Sequence, residues 1–361
     1  EILCKKLKLY GADVRAVRFF ESFLTNRRQQ VRIGNTLSEV KTTSIGCPQG
    51  SLLSPLIFLI YIADIDLWVR NMKIYGYADD TASSIHATNL DDVIVDLESD
   101  GKNVLRFMAS NMLVANPDKT GFIIIRARGA DQRIRSVELG GKIIVETSTQ
   151  KVLGMTLNNK LTWDDHIYGN GGLISALNRK LGAIRRLSYH ITASYLPMIV
   201  RAYLVSRIRY GLCLYGVTRL LNEDPRKGSM DDLQIILNNA MRLIMNKKLV
   251  DKMRIEHLCE ETGIEPINRM VAEEQIRIIW NAKNDKASPL SEIFNSASDG
   301  STRACTRGDL MTKARSTLAM SNLPHTAIMT WNKTGEALRS AENRREAKTQ
   351  TRLFTCTLPL R

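Results

Sequence analysis

The spacing of apolar residues divides the chain into a mixed α and β part followed by a helical part. Apolar positions at helical spacing run from Leu3 to Leu24, and a longer amphipathic helix is predicted from Leu90 to Met112. Two short strand-like runs, 73–77 and 81–86, flank the sequence Ala78–Asp79–Asp80. This arrangement predicts a β-hairpin with two adjacent carboxylates at its tip.

Further short elements surround this hairpin. A Gly/Pro turn at 46–50 precedes an apolar helix predicted from Pro55 to about Trp68. More strands are predicted at 30–33, 122–125, 143–146 and 152–157. The first part of the chain is therefore expected to be an antiparallel sheet with packed helices, and the fold class to be α+β.

The second part repeats amphipathic helical patterns. Such patterns cover 177–187, 199–208 and 233–244, and the run Gly169–Asn170–Gly171–Gly172 before them is the expected domain joint. A loop rich in Ser, Asn and Asp is predicted at 285–301, ahead of a last helical piece. We therefore expect three regions, which are 1–168, 169–284 and 285–361.

The positive charge is concentrated in the helical part. The chain of 361 residues has a net charge of +14, and no carboxylate occurs between Asp165 and Glu223. Eight basic residues lie in that interval: Arg179, Lys180, Arg185, Arg186, Arg201, Arg207, Arg209 and Arg219. A stretch of one sign indicates a polyanion or an acidic protein surface as partner, although a basic surface can also serve solubility alone. Nucleic acid is the favoured partner because Arg and Lys neutralise phosphates.

Composition and motif searches exclude several other classes. The hydrophobic content of 44% is ordinary for a globular protein, and the apolar run 52–63 is too short to span a membrane. No secretory signal pattern is present, and the six cysteines include no CxxC pair, which argues against a zinc site or a disulfide framework. The chain begins at Glu1 within a helical pattern, which is typical of a fragment.

The carboxylates Asp79 and Asp80 are the strongest candidates for catalytic or metal-binding residues. Neighbouring strand side chains point to opposite faces, so two adjacent Asp residues can converge only where the backbone turns. Carboxylates there could hold Mg²⁺, and a pair of such ions would suit nucleotidyl transfer. Asp-rich turns are also common without any function. A second acidic cluster, at 91–100, is typical of a solvated helix face.

Several motifs in a fixed order give the hairpin its context. GCPQGSLLSPLIFLIYIAD at 46–64 and YGYADDT at 75–81 resemble the GxPQGSxLSPxLFxIYxxD and [FY]xDD motifs of reverse transcriptases from non-LTR, jockey-like retrotransposons. NPDKT at 116–120 and VLGMTLNNKLTWDDHI at 152–167 resemble the N-x-x-K-T and LGxxLxxxLxWxxHI segments of that family. The stretch 6–34 is similar to the family's sequence ahead of the PQG turn, and looser similarity continues beyond 167.

The resemblance implies a right-hand polymerase and roles for particular residues. Residues 1–168 would be part of the fingers and palm, followed by a helical basic thumb and a C-terminal region. Asp79 and Asp80 would be the catalytic, metal-binding pair. The remaining implied site residues are Gln49, Gly50, Tyr77 and Lys119 for nucleotide and template, Gly154 for the primer grip, and Arg179, Lys180, Arg185, Arg186, Arg201 and Arg209 for the nucleic-acid backbone.

One expected feature of the family is missing from this sequence. No F-D-x-x-D/H-type strand supplies a further catalytic Asp, and Asp13 has the wrong neighbours for that role. Because a metal pair held by fewer ligands is held poorly, we expect this chain alone to show little or no polymerase activity. Robust primer extension on homopolymer RNA with Mg²⁺ or Mn²⁺ would contradict this expectation.

The expected function is RNA-directed DNA polymerisation, with Mg²⁺ or Mn²⁺ as cofactor. The implied partners are an RNA template, a DNA primer and deoxynucleoside triphosphates, with no membrane. The location implied by the family is intracellular, in nucleus and cytoplasm. The alternative is an inactive or host-adopted remnant that binds RNA or RNA–DNA hybrid. An intron maturase or telomerase relative fits less well, because no addition of either kind is visible.

Overall fold

The chain forms two compact units. The computed structural model describes residues 1–116, 118–126, 129–216, 227–248, 250–285, 287–291 and 323–358. The first unit is Glu1–Gly154 and the second is Met155–Arg361. Short antiparallel sheets and helices make up the first unit, whereas helices dominate the second. The α+β class predicted from the sequence is therefore confirmed.

The first unit places helices among several separate hairpins. Its helices are α1 (Ile2–Leu9), α2 (Val14–Leu24), α3 (Ser54–Ile62) and α4 (Leu90–Ser110), with a 3-10 turn at Ile65–Trp68. Its strands are β1 (Arg27–Gln29), β2 (Arg32–Ile33), β3 (Thr36–Leu37), β4 (Lys41–Thr43), β5 (Lys73–Tyr77), β6 (Asp80–Ser84), β7 (Ser136–Leu139), β8 (Lys142–Val145) and β9 (Thr149–Val152). The antiparallel pairs are β1 with β4, β2 with β3, β5 with β6 and β7 with β8. Because a two-stranded ribbon is marginally stable by itself, these hairpins depend on anchors from the helices and loops around them.

Local sequence signals explain where the helices of this unit begin. Asp13 is the N-cap of α2, and its carboxylate accepts a hydrogen bond of 2.7 Å from the backbone N–H of Ala16. Asn89 caps α4 in the same way. Asp13 thus has a structural role as a helix cap, in agreement with the helical pattern predicted around it.

The predicted strand at 122–125 is wrong. The described residues there have no strand hydrogen-bonding pattern, although Ile124 is buried. The backbone N–H of Thr147 donates to the carbonyl of Phe122 at 3.0 Å, so the segment is held as a loop against Thr147. The apolar run Phe122–Ile125 predicted a strand, but only Ile124 of it is buried, Ile125 is 50% exposed, and the pairing that defines a strand did not form.

In the residues that the structure describes, the second unit is a set of helices with one short strand at its start. Its helices are α5 (Asp164–Tyr168), α6 (Leu173–Leu187), α7 (Leu196–Val200), α8 (Ser206–Arg209), α9 (Leu212–Tyr215), α10 (Lys227–Ile244), α11 (Ile255–Thr262), α12 (Ile267–Asn284), α13 (Leu323–Asn332), α14 (Glu336–Arg339) and α15 (Arg344–Cys356). Strand β10 is Met155–Asn158, a 3-10 turn lies at Ala193–Tyr195, and a π-helical turn at Arg201–Val205 joins α7 to α8. The helices predicted at 177–187, 199–208 and 233–244 are all present.

The WDDHI segment packs into the helical core of the second unit. The His166 ring lies 5.5 Å from the ring of Tyr215, which is 0% exposed. Asn158, at the end of β10, donates to Thr162 Oγ1 at 2.8 Å and to Asp165 Oδ2 at 2.7 Å. These contacts explain why the compact unit starts at Met155 and includes the segment ahead of the glycine-rich joint.

A second apolar cluster joins α12 to the last helices. Trp331 on α13 is 1% exposed and packs with Ile276 and Ile279 of α12. The predicted loop at 285–301 lies outside the described residues from 292 onward, as does the rest of the chain up to 322. Among the described residues, no helix is long and apolar enough to cross a membrane.

Gly169 should be intolerant of substitution. A Cβ at Gly169 would lie 2.3 Å from the carbonyl oxygen of Asp165, which is fixed backbone in α5. We expect Gly169→Ala to lower the free energy of unfolding of the second unit by about 2 kcal/mol, because the backbone must shift. Urea denaturation followed by tryptophan fluorescence measures the change.

Gly228→Ala is the matched control for this substitution. Gly228 lies in the first turn of α10, where an added Cβ meets nothing within 4 Å. Alanine there should leave the stability unchanged or raise it slightly, because it has the higher helix propensity. Equal effects of the two substitutions would contradict the steric explanation.

Candidate active site and nucleic-acid interface

The predicted hairpin forms, and it carries the two carboxylates at its tip. Strands β5 and β6 pair in register from Lys73 with Ser84 to Tyr77 with Asp80. Ala78 and Asp79 make the two-residue turn, and Ala78 has a φ of 52°, in the left-handed region. A non-glycine residue adopts this φ at a cost of about 1 kcal/mol, so the turn is held by the strands on either side of it.

Asp79, Asp80 and Tyr77 are all exposed. Tyr77 is 68% exposed, and within the described part of the chain no hydrogen bond or ion pair engages the side chains of Asp79 or Asp80. The two carboxylates are therefore available to a ligand. The hairpin brings these three residues together, as predicted from the sequence.

A buried carboxylate anchors the root of this hairpin. Asp100 of α4 is 2% exposed and accepts hydrogen bonds from the backbone N–H groups of Arg70, Asn71 and Met72, the last two at 2.8 and 2.9 Å. Residues 70–72 lead directly into β5. The sequence pattern placed Asp100 on a solvated helix face, and for this residue that interpretation is wrong, because the carboxylate turns inward to satisfy three backbone donors.

Gln49 and Gly50 lie in an exposed turn ahead of α3. Ser54, in the first turn of α3, donates through Oγ to the carbonyl of Pro48 at 2.6 Å. Gly50 has a φ of 81°, a left-handed conformation that favours glycine. Among the described residues no hydrogen bond or ion pair joins this turn to the hairpin tip, and their approach stays a prediction.

Lys119 lies in a tight loop that its neighbours stabilise. The side chain of Asn116 accepts from the N–H of Asp118 at 3.0 Å, and its carbonyl accepts from the N–H of Lys119 at 3.2 Å. An ion pair of 2.5 Å with Lys142 lowers the pKa of Asp118. The Lys119 side chain is exposed and has no partner of its own within the described residues.

Gly154 is the last residue of the first unit. It follows Leu153 in a turn where both residues have positive φ, 47° for Leu153 and 80° for Gly154. Glycine suits this backbone, which explains its presence in the motif.

The basic residues of α6 point away from its buried face. Leu177, Leu181 and Ile184 are buried, whereas Arg179, Arg185 and Arg186 are exposed. Lys180 is half-buried, with its ammonium 5.2 Å from the ring centroid of Tyr203. Tyr203 is itself 56% exposed, so the pair adds an aromatic surface beside the arginines that sequence periodicity did not indicate.

Arg201 and Arg209 are engaged by other parts of the second unit. Arg201 donates to the carbonyl of Thr262 at 2.7 Å, at the end of α11. Arg209 forms ion pairs with Glu265, Glu273 and Glu274 at 3.2, 3.0 and 3.3 Å. Burial and the neighbouring Glu273 raise the pKa of Glu265. Both arginines thus already donate to carbonyls or carboxylates, whereas the exposed arginines of α6 have no side-chain hydrogen bond or ion pair among the described residues.

The carboxylate oxygens at the hairpin tip are the type of ligand that a hard divalent cation binds. Two carboxylates are fewer ligands than a complete metal site needs. Carboxylate oxygens are the ligands that Mg²⁺ and Mn²⁺ prefer. In the described residues no group of three or more His, Cys, Asp or Glu side chains could hold a metal ion. The tip therefore supplies part of a site.

Comparisons with known proteins agree with the motifs. Residues 1–157 match the family model for reverse transcriptase (RNA-dependent DNA polymerase). The chain is 26% identical over 258 residues to a probable RNA-directed DNA polymerase from transposon BS of Drosophila melanogaster. It is 23% identical over 251 residues to the RNA-directed DNA polymerase from mobile element jockey of the same organism.

These alignments cover 67% of this chain but only 27% and 26% of the two relatives, so the chain spans about a quarter of their length. No solved structure matches the chain. The motifs, the hairpin with its paired carboxylates and the matching family model lead to one assignment. Residues 1–157 match the reverse transcriptase family model, and the chain is similar to the reverse transcriptases of non-LTR, jockey-like retrotransposons.

Proposed function

We propose that this chain is a part of an RNA-directed DNA polymerase in which Asp79 and Asp80 form the catalytic, metal-binding pair. The observation that carries the proposal is the β5–β6 turn, which exposes both carboxylates while the strands hold the backbone in place. A divalent cation held there would neutralise charge on a transferring phosphoryl group. The protein's own contribution is the fixed backbone that presents both acids on one turn.

The surrounding elements fit a polymerase arrangement. We assign residues 1–168 to the fingers and palm, 169–284 to a thumb-like region and 285–361 to a C-terminal tail. Tyr77 would pack near the primer terminus, since it is exposed opposite Asp80. Gly154 would belong to the primer grip.

The nucleotide and template contacts are assigned to two exposed loops. Gln49 and Gly50 would contact the nascent base pair, because the positive φ of Gly50 and the absence of a Cβ permit close approach of a ligand to the backbone. Lys119 would lie near the triphosphate and stabilise the charge that develops on the leaving group. Its ammonium is exposed and has no partner among the described residues, which is consistent with that role.

The exposed face of α6 is proposed to hold the nucleic-acid backbone. Arg179, Arg185 and Arg186 can reach phosphates without breaking a side-chain hydrogen bond or ion pair to any described residue. Lys180 would contribute to binding through the exposed surface that it forms together with the ring of Tyr203. Arg201 and Arg209 would have to share existing partners, so we rank them behind the arginines of α6. The nuclear and cytoplasmic location implied by the family belongs to the same proposal.

The metal site can be mapped by localised cleavage. Fe²⁺ bound in place of Mg²⁺ produces hydroxyl radicals with ascorbate and peroxide, which cut the nearest backbone. We expect cleavage of the chain within 73–84, reduced at least about fivefold in Asp79→Asn because one of two ligands loses its charge. Mass spectrometry of the fragments measures it.

The matched control is another adjacent pair of acids. Asp91 and Asp92 lie in the first turn of α4 and are both exposed. Asp92→Asn should leave the cleavage at 73–84 unchanged. Cleavage that is absent from 73–84, or equally reduced by both substitutions, would refute the metal assignment.

A further inference from the structure

One arginine of the first unit spans two separate backbone segments. Arg27, the first residue of β1, donates from Nε to the carbonyl of Leu24 at 3.2 Å. Its Nη2 donates to the carbonyls of Ile45 and Gly46 at 2.8 and 2.6 Å. The guanidinium thus ties the end of α2 to the chain immediately before the Gln49 turn.

The geometry of arginine is what makes this connection possible. A guanidinium is planar and carries five N–H donors in a fixed fork, so it can serve carbonyls on two sides at once. Hydrogen bonds from a charged donor are stronger than those between neutral groups. A lysine ammonium keeps the charge but lacks the fork, and it would not bridge the two segments equally well.

The turn has a second anchor on its other side. Ser54 Oγ donates to the carbonyl of Pro48, so that Arg27 and Ser54 hold the backbone before and after Cys47. Gln49 directly follows the anchored Pro48. It is exposed, and its side chain has no hydrogen-bond partner within the described residues. The backbone is fixed while the side chain that would meet a ligand is left available.

We propose that Arg27 is a positioning residue, which presets the 46–50 turn so that Gln49 and Gly50 are presented to the nucleotide and its template base. The proposal rests on the proposed function for the ligand, but its structural part concerns the chain alone. Arg27 acts through the backbone it holds and does not itself contact nucleic acid. A preset turn loses less conformational freedom when a ligand binds.

The neighbouring arginine supplies a matched control. Arg28 has the same charge and lies in the same strand, but it is exposed, and its side chain has no hydrogen bond or ion pair among the described residues. If the charge of this strand were what mattered, the two arginines would be equivalent. If the hydrogen bonds to the carbonyls of Ile45 and Gly46 are what matter, only substitution of Arg27 should disturb the turn.

Cys47 is a native reporter of the turn. It is half-buried and packs against the small core formed by Leu3, Leu7, Val17 and Ile57. Its reaction with a thiol reagent should therefore become faster when the turn opens and exposes the rest of the thiol. Cys4 packs against the same core but lies in α1, so it reports loosening of the whole unit.

The experiment compares thiol labelling rates at Cys47 in the full chain, resolved by mass spectrometry. We expect Arg27→Ala to raise the rate about tenfold, Arg27→Lys to raise it by less, and Arg28→Ala to leave it unchanged. The rate at Cys4 should stay constant in all three variants. A second readout is ultraviolet crosslinking of residues 46–50 to an RNA–DNA hybrid with 4-thiothymidine at the primer terminus, which Arg27→Ala should reduce about fivefold.

Three outcomes would overturn the proposal. These are an unchanged rate at Cys47 in Arg27→Ala, an equal rise in Arg28→Ala, and a parallel rise at Cys4 in both Arg27 variants, which would mean general loosening. Failure of the unaltered chain to bind the hybrid would reject the proposed function instead. The labelling comparison would still decide the role of Arg27, because it contains no nucleic acid.

Discussion

Replacing Asp100 with alanine is expected to lower the free energy of unfolding of the first unit by about 3–5 kcal/mol, a large effect for one side chain. The carboxylate is 2% exposed and accepts from three consecutive backbone N–H groups, those of Arg70, Asn71 and Met72. Alanine would leave these donors with no partner in a buried position. Each unsatisfied donor costs about 1–3 kcal/mol, and water entering the site would recover part of this.

The loss should be concentrated at the hairpin that follows. Residues 70–72 lead into β5, so their release should free the strands that carry Tyr77 and Asp80. Hydrogen exchange of peptides covering 68–84 measures this directly, and exchange should accelerate about 100-fold or more. Asp100→Asn keeps one carbonyl acceptor and should lose about half as much stability.

Asp96 is the control for Asp100. It lies one turn earlier on α4 and accepts a single hydrogen bond of 2.8 Å, from the side chain of Asn71 at an exposed position. Asp96→Ala should change the stability by less than about 1 kcal/mol. If Asp100→Ala lowered the free energy of unfolding no more than Asp96→Ala does, the hydrogen bonds to Asp100 would not be what holds residues 70–72 at the root of the hairpin.

The second large effect is expected on nucleic-acid binding. Reversing the charge of Arg179, Arg185 and Arg186 to Glu should weaken binding to an RNA–DNA hybrid at least about 100-fold at 50 mM salt. Three phosphate contacts predict a salt slope near −2.7, or about 40-fold weaker binding of the unaltered chain between 50 and 200 mM. The variant should lose most of that slope. Fluorescence anisotropy across a salt titration gives both quantities.

A second triple variant separates local contacts from total charge. Arg344, Arg345 and Lys348 are exposed on α15, so their reversal to Glu changes the net charge by the same amount. This variant should reduce affinity only a few-fold through long-range repulsion. Because all six residues are exposed, circular dichroism should report folded protein in both cases. Equal losses in the two variants would argue against a binding face on α6.

Much of the local structure follows from short-range pattern. Alternation around Ala78–Asp79–Asp80 predicted a hairpin whose strands are observed at 73–77 and 80–84. The periodic apolar positions of α4 and α6 predicted both helices to within a few residues. These successes share one reason, which is that turn chemistry and helical periodicity act between residues close in sequence.

The roles of individual charged residues did not follow in the same way. Asp100 and Arg209 have ordinary sequence surroundings for exposed residues, yet one clamps a buried backbone and the other binds three carboxylates. Arg27 lies between the helical pattern that ends at Leu24 and the strand predicted at 30–33, and neither pattern gave it a role. Apart from Leu24, which lies three residues before Arg27, their partners lie 18 to 65 positions away along the chain.

By itself, the sequence determined the α+β class, the family and the place of the paired acids on a turn, because motifs and periodicity are written in neighbouring residues. Only the tertiary structure decided which charged side chains bind other parts of the chain and which remain exposed. A carboxylate or guanidinium is stabilised by whichever groups the folded chain brings within hydrogen-bonding distance, and its neighbours in sequence do not specify those groups.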